Sequence, residues 1–339
     1  MKSTIIDVAK HAGVSIKTVS RVTNGEASVR PTTRDKVMAS VKALSYQPNL
    51  AARNLATTKS YNIAFIYDNP NAYYVIDMQN GILSECRNQG YELLIHPSNA
   101  RKQGIIDELI IMIKQTQVAG VVLTPPFSEM PEFIQKLTHA KIAFVRILSG
   151  SSAPDNLSPC VLVNDFQAAF DITEHLINLG HTNIAFLSGG KAHQSTFERI
   201  AGYKSALQTH HIPSDPLLIV DGEYSFESGV EGAKHLMALA KRPSAIFSCN
   251  DEIAAGALFA SRLMNIDIPS GLSIVGFENS PFSRQTWPKL TTADQPNQQI
   301  AQRATTLLIS SIKSPDHNNT CELFIPQLVE RDSSAQVND

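Results

Sequence analysis

The 339-residue sequence contains no apolar run near the roughly 20 residues that a membrane-spanning helix needs. No apolar stretch typical of a secretion signal follows the first methionine. We therefore expect a cytoplasmic protein with no membrane partner. The four cysteines, at positions 86, 160, 249 and 321, are far apart and lack metal-type spacing. Their scatter predicts free thiols in a reducing compartment.

Signatures of enzymes are also missing. The chain has no G-x-G-x-x-G, no P-loop and no G-x-S-x-G, and the Ser188-Gly-Gly190 run is too short to indicate a phosphate loop. The histidines at 175, 181, 193, 210 and 211 lack the spacing of metal ligands. The sequence therefore predicts no catalytic residue, no metal and no cofactor.

The net charge of −2 hides an asymmetry along the chain. Residues 1–60 hold ten Lys and Arg against three Asp and Glu, a net charge of +7. The remainder holds nineteen against twenty-eight, a net charge of −9. A small basic module joined to a large acidic one indicates that only the first part meets a polyanion such as DNA.

The basic module begins with a pattern typical of two short helices and a tight turn. Ser3 or Thr4 can cap the first helix, and Gly13 ends it with the backbone freedom that a sharp turn needs. Ser15 can cap the second helix, whose Val19 points back at the first. The outward side chains of the second helix are short or basic, which suits contacts in a major groove. An ordinary helical hairpin with a solvated face has the same pattern.

The flanking sequence makes the pattern more specific. A third helix is predicted from about Pro31 to about Tyr46. The runs D-V-A-x-x-A-G-V-S-x-x-T-V-S-R-V at 7–22 and Y-x-P-N-x-x-A-R-x-L at 46–55 are both present. In these two runs the chain resembles the headpiece of the LacI/GalR family of bacterial transcription regulators, and the resemblance continues more weakly through the rest of the chain.

The resemblance implies a homodimer on a pseudo-palindromic double-stranded operator, with one headpiece on each half-site. Base contacts are expected from Ile16, Lys17 and Arg21. Phosphate contacts are expected from Thr4, Ser15, Thr18, Asn24 and Arg30.

Residues 48–60 are expected to form a hinge helix and linker. This segment is too short for a stable isolated helix, so it should fold only when supported. In the family it folds on DNA and wedges a leucine into the minor groove, where an apolar side chain unstacks a base step. The matching residue is Leu55, with Asn49, Ala52 and Arg53 beside it. A mobile linker whose leucine packs on the core is the alternative.

From residue 61 onward, predicted strands alternate with amphipathic helices. Strands are predicted at 62–67, 92–96, 120–124, 142–147, 161–163, 184–188, 218–220, 245–248 and 273–276. Helices are predicted at 76–89, 105–115, 168–179, 198–208, 228–240 and 251–264. Such alternation indicates parallel sheets covered on both faces, which bind ligands beyond the carboxyl ends of their strands.

The resemblance adds a domain plan. An all-α helix-turn-helix headpiece at 1–47 precedes an α/β core at 61–330, built like a periplasmic binding protein from two doubly wound parallel-sheet subdomains. The first subdomain is expected at about 61–163 and 294–322, and the second at about 164–293 and 323–330. Residues 331–339 are expected to form a polar tail.

The residues after the predicted strands carry the side chains of a sugar site: planar amides, carboxylates, guanidinium groups and aromatic rings. The candidate effector-binding residues are Asp68, Tyr73, Tyr74, Arg146, His193, Arg199, Tyr224, Asn250, Glu278 and Trp287. Asp165 and Asp251 are expected to cap helices rather than to contact ligand.

Three of these candidate residues carry more specific expectations, and for Arg146 two roles stay open. Arg199 lies in an R-x-x-G-(F/Y) run whose arginine contacts the effector in the family. Glu278 stands where the family usually has Asp, so a smaller or differently shaped ligand is expected. Arg146 is expected to pair with Glu278 or Asp68, or to meet an acidic group of the ligand.

These features together predict an operator-binding repressor of carbohydrate genes with a sugar or sugar-derivative effector. A purine or nucleoside effector, a solute-binding protein and a doubly wound enzyme are the alternatives. Induction and corepression stay open, as do dimer and tetramer, although no leucine heptads follow residue 330 and the family dimerises through its core.

Overall fold

The computed structural model describes residues 3–23, 28–46, 60–69, 71–314 and 319–337. It divides the chain into two compact units, Met1–Tyr61 and Asn62–Asp339. Each unit is described by itself below. None of the described helices is long and apolar enough to cross a membrane.

The first unit is a three-helix headpiece. Its helices are α1 (Ile5–Ala12), α2 (Ile16–Thr23) and α3 (Pro31–Ala43). Thr4 caps α1 in a reciprocal capping box with Asp7, and Gly13 ends the helix in the left-handed region at φ 60°. The core consists of short apolar side chains: Val8, Ala9, Ala12, Val19, Val22 and Val37. The predicted helix-turn-helix and third helix are confirmed.

The second unit contains a six-stranded parallel sheet in the order β11-β5-β4-β3-β1-β2. Its strands are β1 (Asn62–Tyr67), β2 (Glu92–Pro97), β3 (Gly120–Leu123), β4 (Phe144–Ser149), β5 (Cys160–Val163) and β11 (Cys321–Phe324). Its helices are α4 (Ala72–Gln89), α5 (Ile105–Thr116), α6 (Pro131–His139) and α12 (Asn297–Lys313). A Cβ at Gly81 of α4 would collide with the backbone carbonyl of Gln298, so glycine permits α4 and α12 to pack closely.

A second parallel sheet has the order β7-β6-β8-β9. Its strands are β6 (Ile184–Leu187), β7 (Ile219–Val220), β8 (Ala245–Ser248) and β9 (Ser273–Val275). The helices of this subdomain are α7 (Asp165–Asn178), α8 (Gln194–Thr209), α9 (Phe226–Met237), α10 (Asp251–Leu263) and α11 (Pro281–Gln285). All nine predicted strands are present within two residues of their predicted ends, and the predicted fold class is confirmed.

The chain crosses between the subdomains three times. The first crossing follows β5, the second follows β10 (Thr292–Asp294), and the third lies between β11 and β12 (Gln327–Val329). β11 pairs with β5 along its whole length, whereas β12 pairs antiparallel with β10. The third crossing therefore falls after Phe324, two residues later than the expected boundary.

The segment after β12 docks on the second subdomain. Ser333 is fully buried and its Oγ accepts a hydrogen bond from the backbone N–H of Thr291 (2.9 Å). The carbonyl of Ala335 lies 3.0 Å from Nε2 of His181, and the N–H of Val337 donates to the carbonyl of Leu179. Residues 331–337 are thus part of the second subdomain rather than a free polar tail.

Two of the four cysteines are paired, contrary to the expectation of free thiols. Cys160 and Cys321 form a disulfide between β5 and β11, with 4.5 Å between their Cα atoms. They occupy directly opposed register positions on neighbouring strands, although 161 residues separate them in sequence. Cys86 and Cys249 are free, as expected, and both are buried.

Candidate functional site

Helix α2 presents the residues predicted to read bases. Ile16, Lys17 and Arg21 are exposed, and Ile16 keeps 47% of its surface accessible. Val19 and Val22 on the opposite face are buried in the headpiece core. The helix therefore carries an outward face with one β-branched apolar side chain and two cations, which suits thymine-methyl, guanine and phosphate contacts.

The described residues predicted to meet phosphates lie at or near helix starts. Thr4 is the cap of α1, and Ser15 Oγ accepts a hydrogen bond from the N–H of Thr18 at the start of α2 (3.1 Å). Arg30 is exposed directly before α3. Helix N-termini attract phosphate because their first N–H groups are unpaired within the helix. The predicted contacts Asn24, Asn49, Ala52, Arg53 and Leu55 lie outside the described residues and stay predictions.

The core unit has a cleft between its two subdomains, at the carboxyl ends of both sheets. A cavity of about 60 Å³ lies in it. Its polar lining comes from both subdomains and consists of Asn69, Asn71, Tyr74, Ser149, Asp165, His193, Ser195, Arg199, Tyr224, Glu278 and Gln295. We call this space the inner cavity. It has room for only a few water molecules, so a ring-sized ligand requires side chains or subdomains to move.

Arg199 of α8 forms the charged centre of the inner cavity. Its Nε donates to Asp165 Oδ1 (2.8 Å), and its Nη1 donates to the backbone carbonyl of Cys249 (2.5 Å). The guanidinium carbon lies 3.7 Å from the ring centroid of Phe277. The other oxygen of Asp165 accepts from Ser149 Oγ of the opposite subdomain (2.6 Å). Arg199 is therefore neutralised and held by protein partners.

Glu278 links the two subdomains across the inner cavity. Its Oε2 accepts a hydrogen bond from Asn71 Nδ2 (2.8 Å), while Asn71 Oδ1 caps α4. Burial raises the pKa of Glu278 to about 8, although nearby Arg199 favours the ionised form. Below that pH the side chain is a neutral carboxylic acid, which can donate as well as accept a hydrogen bond.

Two rings form one wall of the inner cavity. His193 and Tyr224 meet edge to face, with ring centroids 5.5 Å apart. The Tyr224 hydroxyl lies 2.9 Å from Thr196 Oγ1 and 3.4 Å from Cys249 Sγ. Burial raises the pKa of Tyr224 and lowers the pKa of His193, so both rings are uncharged near neutral pH.

Five of the ten predicted effector residues line this inner cavity, namely Tyr74, His193, Arg199, Tyr224 and Glu278. Asp68 lies at a neighbouring mouth of the cleft and accepts from the N–H of Ala100 (2.8 Å). Tyr73 instead packs edge to face on Phe282 of α11.

The structure places the other three predicted effector residues away from the inner cavity. Arg146 pairs with Asp155 and Ser158 rather than with Glu278 or Asp68, because the loop after β4 folds back over it. Asn250 is buried as the cap of α10, where its Oδ1 accepts from the N–H of Ile253 (2.9 Å). Trp287 is 71% exposed and does not stack within the inner cavity.

Four residues in or beside the inner cavity have roles that the sequence did not predict. Asp165 was expected to cap α7, but Asn164 is the cap and Asp165 binds Arg199. Asp251 was also expected to cap a helix; instead, its carboxylate accepts from Thr292 Oγ1 and from the N–H of Ser280. Asn71 lies in the loop after β1, and Gln295 lies in the crossover after β10. The sequence marks each of them as a site residue only because a polar side chain follows a strand.

The arrangement can bind an uncharged polar molecule by hydrogen bonds. Within the described ranges, no three His, Cys, Asp or Glu side chains are grouped so that they could hold a metal ion. The carboxyl, amide, hydroxyl and imidazole groups of the inner cavity offer both donors and acceptors. Such a set matches the hydroxyl groups of a small polar ligand.

Comparisons with known proteins match a family model to part of each of the two units. Residues 4–49 match the family described as bacterial regulatory proteins, lacI family, and residues 173–334 match the periplasmic binding protein-like domain. Catabolite control protein A of Priestia megaterium is 33% identical over 332 residues, covering 98% of each chain. The HTH-type transcriptional repressor PurR of Vibrio atlanticus is 29% identical over 339 residues, covering 99% of this chain and all of the other.

Solved structures share the fold. The lac repressor dimer bound to operator and the anti-inducer ONPF matches with a TM-score of 0.79 at 24% identity, covering 99% of this chain and all of that one. A regulator from Enterococcus faecium with bound ribose matches with a TM-score of 0.73 at 23% identity, covering 82% of this chain and all of the other. At these identities the likeness is one of fold.

Proposed function

Because the chain belongs to the LacI family of bacterial regulatory proteins and is a DNA-binding transcriptional repressor of that family, we propose that an uncharged sugar or sugar derivative is its effector. The ligand binds in the inner cavity between the subdomains and changes the affinity of the headpiece for a pseudo-palindromic operator. The gene targets proposed are those of carbohydrate uptake or catabolism, and the site of action is the cytoplasm.

The ion pair between Arg199 and Asp165 is the observation that supports an uncharged ligand. Both side chains are at most 4% exposed, and their Nε–Oδ1 distance is 2.8 Å. A ligand with a carboxylate or phosphate would need a cation that is available to pair with it. Arg199 is the arginine that lines the inner cavity, and Asp165 already neutralises its charge. Glu278, neutral below about pH 8, further favours hydroxyl groups over anions.

Coupling to DNA follows from the Asn71–Glu278 contact. The inner cavity is too small for a sugar ring while this contact joins the subdomains. A ligand that separates Asn71 from Glu278 favours a different subdomain arrangement, and its differential affinity sets the size of the shift. The hinge at 48–60, with Leu55 as the minor-groove wedge, is the proposed element that transmits the shift to the operator.

The proposed assembly is a homodimer formed through the core. Helices α4 and α10 carry large apolar side chains that are exposed in the single chain: Ile76 is 49%, Phe259 47% and Leu263 64% accessible. Burying such side chains against a twin stabilises an association by removing apolar surface from water. A dimer places two headpieces on two half-sites of one operator.

A purine effector is the second candidate, because the PurR repressor of Vibrio atlanticus is 29% identical over nearly the whole chain. The edge-to-face meeting of His193 and Tyr224 weakens this candidate, since it offers no parallel ring pair to enclose a flat base.

Operator affinity measured with and without ligands tests the proposal. A duplex recovered from random DNA by the full-length protein is titrated by fluorescence anisotropy with neutral sugars, phosphorylated sugars, nucleosides and purines. We expect one neutral sugar to change the operator Kd at least ten-fold. A change produced only by a purine or by a phosphorylated sugar contradicts the proposed ligand class.

A further inference from the structure

The disulfide between Cys160 and Cys321 joins two strands that lead out of the first subdomain. Cys160 is the first residue of β5, and Cys321 is the first residue of β11. The two residues are directly opposed in the parallel register, with 4.5 Å between their Cα atoms. β5 runs into the first crossing and β11 runs into the third. The disulfide therefore links two of the three connections that join the subdomains.

The noncovalent attachments of β11 are weak. The strand lies at the edge of the six-stranded sheet, and among the described strands it pairs with β5 alone. Leu323 within it is 48% exposed. Glu322 pairs with Arg303 of α12, but both side chains are partly exposed, so water weakens the attraction. The covalent bond to Cys160 therefore contributes strongly to holding β11 against β5.

Both cross-linked strands lead directly to residues of the inner cavity. After β5 the chain passes through Asn164 to Asp165, the partner of Arg199. After β11 the chain enters β12, which pairs with β10, and Gln295 of the inner cavity follows β10. The N–H of Asn164 donates to the carbonyl of Phe324 (2.8 Å) at the point where the two paths separate. A shift of β11 along β5 is thus passed to two walls of the inner cavity.

The two sulfurs of the pair differ in access. Cys160 is fully buried, whereas Cys321 is exposed, so a small oxidant or a small thiol meets Cys321 first. Disulfides in a reducing cytoplasm are usually transient and serve catalysis or redox sensing.

The other two cysteines are poor targets for an oxidant. Burial raises the pKa of Cys86 in α4 to about 12, and burial also raises the pKa of Cys249. Because the thiolate is the reactive form, both protonated thiols react slowly. An oxidant therefore discriminates in favour of the pair at Cys160 and Cys321.

We propose that Cys160 and Cys321 form a reversible redox site, through which a peroxide changes the affinity of the protein for its operator. The oxidised form holds β5 and β11 in the described register, in which the inner cavity is too small for a ring. The reduced form frees β11 to shift, and so it populates the other arrangement of the subdomains more. This inference rests on the proposed coupling between subdomain arrangement and operator affinity, and it adds an oxidant as a second signal.

The oxidation consumes one hydrogen peroxide and releases two water molecules. The Cys321 thiolate attacks one peroxide oxygen and breaks the O–O bond, which leaves a sulfenic acid and a hydroxide that takes up a proton. The sulfur of Cys160 then attacks the sulfur of Cys321; the S–S bond forms, the S–O bond breaks, and the leaving hydroxide takes the proton of the Cys160 thiol. Two molecules of a thiol such as glutathione reverse the reaction, and they leave as glutathione disulfide.

Operator affinity at a controlled redox state tests the inference. The full-length protein is treated with dithiothreitol, or with hydrogen peroxide that is then removed, and the operator Kd is measured by anisotropy on the duplex recovered from random DNA. Mass spectrometry of alkylated tryptic digests reports whether the peptides of Cys160 and Cys321 are linked. Cys321→Ser removes the exposed sulfur and Cys160→Ala removes the buried one. Cys86→Ala is the matched control, because it removes a cysteine of the same subdomain and keeps the pair.

We expect peroxide to link the two peptides and to change the operator Kd by about five-fold or more, which is an ordinary size for coupling between sites. Dithiothreitol, or reduced glutathione in excess over its disulfide, should restore the Kd. Cys321→Ser and Cys160→Ala should bind operator like the reduced wild-type protein with or without peroxide. Cys86→Ala should respond to peroxide as the wild type does.

Results of four kinds overturn the inference. Peptides that stay unlinked after peroxide treatment remove the redox site, and a peroxide effect that persists in Cys321→Ser assigns the effect to another residue. A linked pair that excess reduced glutathione does not open is a permanent structural bond. A linked pair that raises the melting temperature but leaves the operator Kd unchanged only stabilises the fold.

The proposed sugar effector is judged separately, by sugar titrations in dithiothreitol. A response of the operator Kd to a sugar without a response to peroxide removes the redox site alone. A response to peroxide without a response to any neutral sugar removes the proposed effector and keeps the redox site.

Discussion

The ion pair of Arg199 and Asp165 is buried within the candidate site, with 2.8 Å between Nε and Oδ1. We predict that Arg199→Met, which keeps most of the side-chain volume, destabilises the core substantially. The substitution leaves the buried Asp165 carboxylate with Ser149 Oγ as its remaining side-chain donor among the described residues, and it removes the donor to the carbonyl of Cys249. Breaking such a pair by removing one partner costs about 3–5 kcal/mol, because a buried charge loses its compensation.

Urea unfolding of the full-length protein, followed by far-ultraviolet circular dichroism, measures this cost. Asp165→Asn combined with Arg199→Met should cost clearly less than the sum of the two single variants, because no unpaired charge remains. Lys234→Met is the control, since it breaks an ion pair with Glu231 in which both side chains are at least 50% exposed. An Arg199→Met cost below about 1 kcal/mol, the range of exposed pairs, would refute the reasoning.

Three further predictions concern the hinge, the dimer and the cleft. Leu55→Ala should weaken operator binding and leave ligand affinity unchanged, as measured by anisotropy and calorimetry; unchanged operator affinity contradicts the wedge. Leu263→Glu should convert the dimer to a monomer in sedimentation, because it charges a side chain that is 64% exposed on the proposed interface; an intact dimer places the interface elsewhere. Glu278, with its pKa raised by burial from 4.5 to about 8, binds a proton in the folded state that the unfolded chain has lost, so the free energy of unfolding should fall between about pH 4.5 and pH 8. Glu278→Gln should reduce this slope in urea unfolding at pH 5 and pH 8, with Asp251 and Glu129 retaining part of it, and an unchanged slope means that the carboxyl is ionised when folded.

Local sequence patterns predicted most strands and helices, because each of these elements depends mainly on residues that are close together in the sequence. The strand at 62–67 and the strand at 245–248 were predicted to the residue, since each is a short apolar run bounded by polar residues. Helix α12 was not predicted, although its region was assigned to the first subdomain. Its apolar face packs on α4, a partner more than two hundred residues away.

The features that the sequence did not predict depend on contacts between residues whose approach is set by the folded path of the chain. Arg146 was expected to pair with Glu278 or Asp68 or to meet the ligand, but its partner Asp155 lies in an irregular loop whose path no periodicity describes. Cys160 and Cys321 meet only because β11 returns beside β5. The five effector candidates that line the inner cavity were predictable, since ligands of parallel sheets bind beyond the strand ends.

Thermal unfolding of the full-length protein against neutral sugars, phosphorylated sugars, nucleosides and purines tests the central proposal most directly. A ligand that binds the folded protein alone raises the free energy of unfolding by mass action, by about 2.7 kcal/mol at one hundred times its Kd, and therefore raises the melting temperature. We predict that a neutral sugar raises the melting temperature in proportion to the logarithm of its concentration, and that Glu278→Ala reduces the effect. A rise produced only by a purine, or only by a phosphorylated sugar, would contradict the account of the cleft.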